Sequence, residues 1–354
     1  MIPPKIANLS EWGPFQLDAL GLLTIFGAKE MNTAVGNLVQ SSVTEWLPIL
    51  GSYTVANDDI IKPEPGYVLY NITDGIMATD VSAWFTRWIS TFPLTYTATT
   101  IRLRVENQQL PIVRQAISIT IGLSVIGFLF SMAIVTADAW GIANVASMAV
   151  SVISRQFIVT CLRSSIDHTI QSLKDDPGQD VKVFMTLPDG KAVTILGPRM
   201  IVVTCLLTEA QPIHPQSYYV MRMASWAAFG AHAITLGMSD LFNQILTVVI
   251  LLLATYLTAT HVGGYREAIG TRLCLDVDMG DPDLPRGAAY SRLKMSPTEE
   301  DCMVHWSMMP QRSNVWWWDR YKQQYLSNQA TSVTKEMEGN PRIRKSGSHT
   351  SQNV

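Results

Sequence analysis

The sequence predicts a mainly α, polytopic helical membrane protein, built of two transmembrane hairpins with a small β-rich insertion between them. Three observations carry that prediction. Residues 241–260, LFNQILTVVILLLATYLTAT, hold no charge in twenty residues, which at about 1.5 Å per residue reach roughly 30 Å, the thickness of a bilayer's hydrocarbon. A second pair of apolar runs at 115–162 repeats the arrangement upstream. Between the pairs, VKVFMTLPDGKAVTILGP alternates apolar and polar residues on both sides of Pro188-Asp189-Gly190, the pattern of a β-hairpin.

The totals agree. Charged residues make up 16% of the 354, below the usual quarter, and the mean hydropathy is +0.16. A net charge of −3 argues against a nucleic-acid partner. Cys161, Cys205, Cys274 and Cys302 form no CxxC and no Cys/His cluster, so no disulfide framework, zinc site or other metal centre is expected. Cys274 is read as an ordinary reduced thiol, with acylation near the membrane as the alternative. The N-terminal MIPPKIANLSEWGPFQ lacks the cationic start and apolar core of a cleavable signal peptide.

Taken in order, residues 1–101 form a mixed, partly membrane-apposed region of short apolar patches and turn signals. Its first hundred residues hold four basic and nine acidic side chains, a net −5, and both acceptor sequons, at Asn8 and Asn71. These features hint at a lumenal face and possible glycosylation. The aromatic run that starts at Val81 and ends at Ile101 is long enough to cross, but Arg87 and Pro93 oppose a spanning helix. It is read as an interfacial helix.

Residues 102–162 supply the first transmembrane hairpin, with only Asp138-Ala139-Trp140-Gly141 between its spans. Ser118, Gly122, Gly127 and Ser131 in one span, and Ala143, Ser147 and Ser151 in the other, form small-residue stripes suited to close helix packing. Residues 163–217 are the β-rich polar insertion, with MIVVTCLL at 200–207 read as a third strand. The second hairpin occupies 218–261. In the polar region 262–330, Ser296-Pro297-Thr298-Glu299 has the capping-box pattern of a helix start. A second short helix carries Trp316-Trp317-Trp318, and 331–354 reads as a disordered tail.

Lys and Arg cluster at one end of every strong span, which places those ends, and the C-terminus, in the cytosol. Four spans then put the acidic N-terminal region inside as well, with its sequons unused. A fifth span at 81–101 would move it to the lumen. Which membrane holds the protein, plasma membrane or endomembrane, is not distinguished.

Four polar residues in or beside the spans are candidates for chemistry. Arg155 continues the stripe of the second span and is read as a side chain snorkelling to the surface, the alternative being an anion or carbonyl contact inside the bundle. His232, in the middle of the third span, is read as a structural histidine bonded to a neighbouring helix, or else as a proton-transfer group. Asp138 and Asp240 fall at the two short turns, where each caps a helix or the two meet as a carboxylate pair. Asn243 and Gln244 serve as interhelical glue, and the tryptophan run as an interfacial anchor. No motif for nucleotide, diphosphate or metal chemistry is present, so no cofactor is expected.

The segments VFMTLPDGKAVTILGPR and SWAAFGAHAITLGMSDLFNQILTVVILLLAT resemble a recurrent pattern in uncharacterised multi-pass membrane proteins of filamentous fungi. The resemblance covers about residues 100–260 and implies a membrane setting, including that of secondary-metabolite clusters, without catalytic residues. The expected role is a non-enzymatic scaffold or accessory protein that meets the bilayer and, through the β-insertion and C-terminal tail, protein partners. The alternatives are an enzyme acting on a lipophilic metabolite, with the four polar residues as its machinery, and a small transporter formed as a homo-oligomer.

Overall fold

The computed structural model describes residues 28–41, 43–50, 53–92, 94, 99–106, 112–173, 178–260, 266–279 and 290–326. In chain order the elements are α1 (Ala28–Gly36), α2 (Tyr53–Ala56), β1 (Val68–Asn71), β2 (Ile76–Ala78), α3 (Ala83–Ser90), β3 (Thr100–Val105), α4 (Ile112–Val135) and α5 (Ala139–Ser172). There follow β4 (Asp180–Thr186), β5 (Ala192–Pro198), α6 (Pro215–Met238), α7 (Leu241–Thr260), β6 (Arg266–Ile269), β7 (Leu273–Asp278), α8 (Pro297–His305) and α9 (residues 315–326). Helices α4 to α7 form a bundle, and the strands form a sheet domain at one end of it.

Gln115–Val135, Ala139–Ser172 and Leu241–Thr260 are long and apolar enough to cross a membrane. Helix α6 has the 24 residues of α4 but a less apolar composition, with Ser225, Gly230, His232 and Thr235 along it. The tips of the two helix pairs lie at the same end. One carboxylate oxygen of Asp138 accepts from the Asp240 amide and from Asn243 Nδ2, each at 2.9 Å. Asn243 Nδ2 also donates to Thr136 Oγ1 at 2.8 Å. In the bundle core, Leu129, Val145, Met148, Leu236, Val248 and Leu251 cluster together with Leu50 from the N-terminal region.

The sheet has seven strands in the order β2-β1-β4-β5-β3-β7-β6. All neighbours are antiparallel except β3 and β5, which run parallel with Ile101 opposite Ile195. Strand β4 shows why it has two covered faces. Val181, Val183 and Met185 point one way into a large core with α3 and the second half of α5, while Phe184 points the other way into a core with Tyr290, Met303, Trp318 and Tyr321. Alternation with a period of two allows both.

Four expectations change. The β-hairpin at Pro188-Asp189-Gly190 is real, but it is no separate insertion: it is the centre of a sheet whose other strands come from residues 68–105 and 266–278. Residues 200–206 are helical, a short turn at Arg199–Ile201 leading into a π-helical turn at Val202–Leu206. The boundary drawn at 162/163 falls inside α5, whose 34 residues run about 50 Å from bundle tip to sheet. Finally, among the described residues of the run from Val81 to Ile101 no helix is long enough to cross, and the helix that forms is covered by protein. This helix, α3, has eight residues, and Trp84, Phe85, Trp88 and Ile89 are buried under the sheet.

Helix α8 begins as its sequence predicts. Ser296 Oγ accepts from the Glu299 amide at 3.3 Å, and the Glu299 carboxylate accepts from the Ser296 amide at 2.7 Å, with Pro297 in the first helical position. The tryptophan run divides: Trp318 is 4% exposed and packed in the core, whereas Trp316 is 70% exposed. Residues 331–354 lie outside the described residues.

Candidate functional site

Inside the bundle, residues 43–50 form an irregular segment that reaches about halfway along the helices. Ser41 Oγ starts the turn by accepting from the amides of Val43 and Thr44 at 3.3 and 3.1 Å. The chain then continues as Glu45-Trp46-Leu47-Pro48-Ile49-Leu50, apolar enough to bury and with one amide fewer to satisfy at Pro48. A buried irregular backbone still needs partners for its carbonyls, and α5 provides them. Arg155 Nη2 donates to Glu45 O at 2.6 Å and to Leu47 O at 2.9 Å, and Gln156 Nε2 donates to Glu45 O.

Two turns further along α5, Arg163 pairs with the Glu45 carboxylate. It also donates through Nε to Leu38 O at 2.8 Å and through Nη2 to Val39 O at 2.7 Å. From α7, Thr255 Oγ1 accepts the Leu50 amide at 3.0 Å. Helix α4 contributes a close approach: a Cβ on Gly122 would lie 2.5 Å from Trp46 O. The small residue in that stripe therefore serves a backbone segment, not another helix.

Arg155 does not snorkel. It is 3% exposed and makes the carbonyl contact weighed as its alternative, with its own chain as the acceptor. His232 is 7% exposed, and its Nδ1 has no partner among the described residues. It faces a cavity of about 20 Å³ together with Pro48, Ile49, Met148, Ser151 and Arg155. That is room for one water and far less than a metabolite site requires. Asp138 and Asp240 do come together, but through the Asp240 amide, so that Asp138 caps the start of α7. Gln244 Nε2 returns to Ser239 O at 2.8 Å, which completes the tip.

Asn71 is 2% exposed in β1 and its Nδ2 donates to Asp74 at 2.7 Å, leaving no space for a glycan in the folded chain. Asn8 lies outside the described residues. Arg87, read as an obstacle to a spanning helix, ties α3 to the N-terminal region instead. Its guanidinium donates to the carbonyls of Ala83 at 2.9 Å, Asp59 at 2.6 Å and Lys62 at 3.0 Å. Burial pulls its pKa below the ordinary value, opposed by the carboxylates of Glu64, Glu209 and Asp59.

Sequence reading missed two features. One is the segment at 43–50, whose only signal was a short apolar run ending at Leu50. The other is Glu209, whose Oε1 accepts the Ala83 amide at 2.7 Å at the start of α3. Burial raises the Glu209 carboxyl above its ordinary value, against the Ala83 hydrogen bond and the Arg87 charge. Neither residue type nor spacing marked it in advance. No protein-family model, no curated protein and no solved structure matches the chain, so no residue role is transferred from another protein.

Proposed function

We propose that the protein is a four-crossing integral membrane protein with its sheet domain in the cytosol, acting as a non-catalytic scaffold or accessory subunit. The outward faces of the bundle support the membrane setting. Leu123, Phe128, Ile153, Ile234, Leu253 and Tyr256 are all exposed, a belt much larger than the apolar patches of water-soluble surfaces. Helix α6 belongs to the same belt through Tyr219, Val220, Met223 and Trp226. Because α6 packs along α5 and joins α7 at the tip, it crosses if they cross. Orientation follows from the absence of Lys and Arg at 136–141 and 239–243 and their abundance at the sheet end.

The observation that carries the functional reading is the state of the bundle's polar side chains. Arg155, Gln156, Arg163, Asp138, Asn243 and Gln244 all bond to their own chain, which supports an architectural role. The cavity beside His232 is too small for a lipophilic substrate. Partners then meet the sheet domain and the exposed end of α9, where Val315 and Trp316 stand clear of the core.

A complementation series in a strain lacking the gene tests this, scored by restoration of the wild-type metabolite profile. A scaffold predicts that His232→Ala restores it, while Val315→Ser with Trp316→Ser does not, at equal protein levels. The opposite pattern, together with turnover of a metabolite by the purified wild type that His232→Ala abolishes, establishes an enzyme. The irregular segment at bundle depth favours one other reading. Such segments occur in membranes only where protein or a water-filled cavity surrounds them, and in carriers they line the pathway. Loss of export with normal intracellular synthesis in the deletion strain identifies a transporter.

A further inference from the structure

Where α5 leaves the bundle, a cleft of about 450 Å³ opens between its outer end, the start of α3 and the helical turn that precedes α6. This is the size of small-molecule sites. Trp84, Ile166 and Ile213 form apolar walls, Thr204 and Thr208 add hydroxyls, and Glu209 is the acidic side chain among the lining residues. One oxygen of Glu209 is held by the Ala83 amide, which fixes the carboxylate in place. The indole N–H of Trp84 is already engaged with Cys205 O at 3.0 Å, so this ring offers the cleft an apolar surface. The Cys205 thiol beside it is inert as a nucleophile, since burial pushes its pKa up to about 11.

The depth of the cleft defines what can reach it. Ser165, on its wall, is 26 residues along α5 from Ala139 at the tip, about 39 Å at the helical rise. A bilayer with its headgroups measures about 40–45 Å. On the four-crossing reading, on which this inference rests, the cleft therefore lies at the level of the cytosolic headgroups. Ile213, on its rim, is exposed, and Tyr219 and Val220 continue from it into the apolar belt of α6. An entrant from the membrane thus brings a polar head to Glu209 while its chain remains against apolar surface.

We infer that the cleft is a binding site for a single-chain amphiphile whose headgroup donates hydrogen bonds, an ammonium group above all, to the carboxylate of Glu209. The acceptor is a carboxyl group fixed by the Ala83 amide, Trp84, Ile166 and Ile213 offer apolar surface, and Thr204 and Thr208 accept further N–H bonds beside His168 and Gln211. A carboxylate or phosphate headgroup meets charge repulsion at the same point.

The test uses the full-length protein in nanodiscs of phosphatidylcholine, whose quaternary head donates no hydrogen bond. A dodecylamine bearing an alkyl diazirine is photolysed, and labelled peptides are mapped. The expected result is labelling concentrated at residues 165–169 and 204–213, competed by dodecylamine and at least ten-fold less by dodecanoic acid. Glu209→Gln keeps an acceptor for the Ala83 amide and is expected to reduce this labelling about ten-fold. Thr208→Trp, at an exposed rim position, fills the cleft and reduces it as well while leaving the thermal unfolding temperature in place. Labelling spread evenly over the bundle, equal competition by the fatty acid, or labelling that survives both substitutions overturns the proposal. A lumenal sheet domain in the accessibility experiment below defeats the orientation alone, since the cleft would then meet the opposite headgroups.

Discussion

Arg155 is the side chain on which the buried segment most depends. Its Nη2 serves the carbonyls of Glu45 and Leu47, the second in a fully buried bond, and a buried acceptor left alone costs about 1–3 kcal/mol. Arg155→Ala is therefore expected to lower stability by roughly 1–3 kcal/mol, and to open residues 43–50 to proteolysis in detergent before the bundle unfolds. Unchanged protease resistance would show that Gln156 and Thr255 suffice. Two glutamates predict opposite pH responses. Burial works to raise the Glu299 carboxyl, but bonds from Lys182, Ser296 and Thr73 outweigh it and hold it below its ordinary value. A depressed folded pKa contributes stability that is present above the unfolded value, near 4.5, and is lost as pH falls through the lower folded value. Glu209 is raised, so its contribution is full below the unfolded value and declines as pH rises through the folded one. Hydrogen exchange between pH 3 and pH 7 checks the first, since the α8 amides lose protection on the acid side, an effect that Glu299→Gln flattens; thermal melting over the same range checks the second, since Glu209→Gln removes its share of the stability lost as pH rises.

Helix α4 meets the buried segment through Gly122, and there the element scale decides the outcome. A methyl group at that position would lie 2.5 Å from a backbone oxygen, which no rotamer change relieves. Gly122→Ala is thus expected to displace α4 or the segment and to cost about 1–3 kcal/mol by overpacking. Gly127→Ala, with nothing within 4 Å, is expected to be neutral or slightly stabilising by helix propensity. Detergent melting curves of the two variants make the comparison, and equal losses would remove the packing argument. The contrast also explains what the sequence made legible. A small-residue stripe says that something comes close, and Gly122 and Gly127 look alike in it, but only the fold reveals that one faces Trp46 and the other open space. Long uncharged runs and the Ser296-Glu299 box are local signals and were readable. The buried helix α3 was not, because WFTRWIS carries the aromatic and basic pattern of an interfacial helix, and its true neighbours, α1 and the sheet core, come from distant stretches of the chain. Strands β4 and β5 were found by their alternation. Their partners β1 and β3 were hidden, since pairing across the chain leaves no periodic trace in either strand.

At the scale of the molecule, the sheet domain and bundle are joined by α5, and their shared core makes the sidedness of every segment one question. Strands from three stretches of the chain, residues 68–105, 180–198 and 266–278, lie in one sheet, so none of them can occupy a different compartment from the others. On the proposed membrane setting, β1, β2 and α3 share the side of the β4–β5 turn, so the intervening helices would cross an even number of times. Single-cysteine variants in a background lacking the four native cysteines test that arithmetic, with Ala139→Cys at the exposed bundle tip and Asp189→Cys at the exposed β4–β5 turn. In sealed vesicles with the cytosolic face outward, a membrane-impermeant maleimide is expected to label position 189 at once and position 139 only after detergent. Immediate labelling of 139 with protection of 189 inverts the orientation while keeping the crossings. Immediate labelling of both means that the apolar belt lies against another protein surface and not in a bilayer.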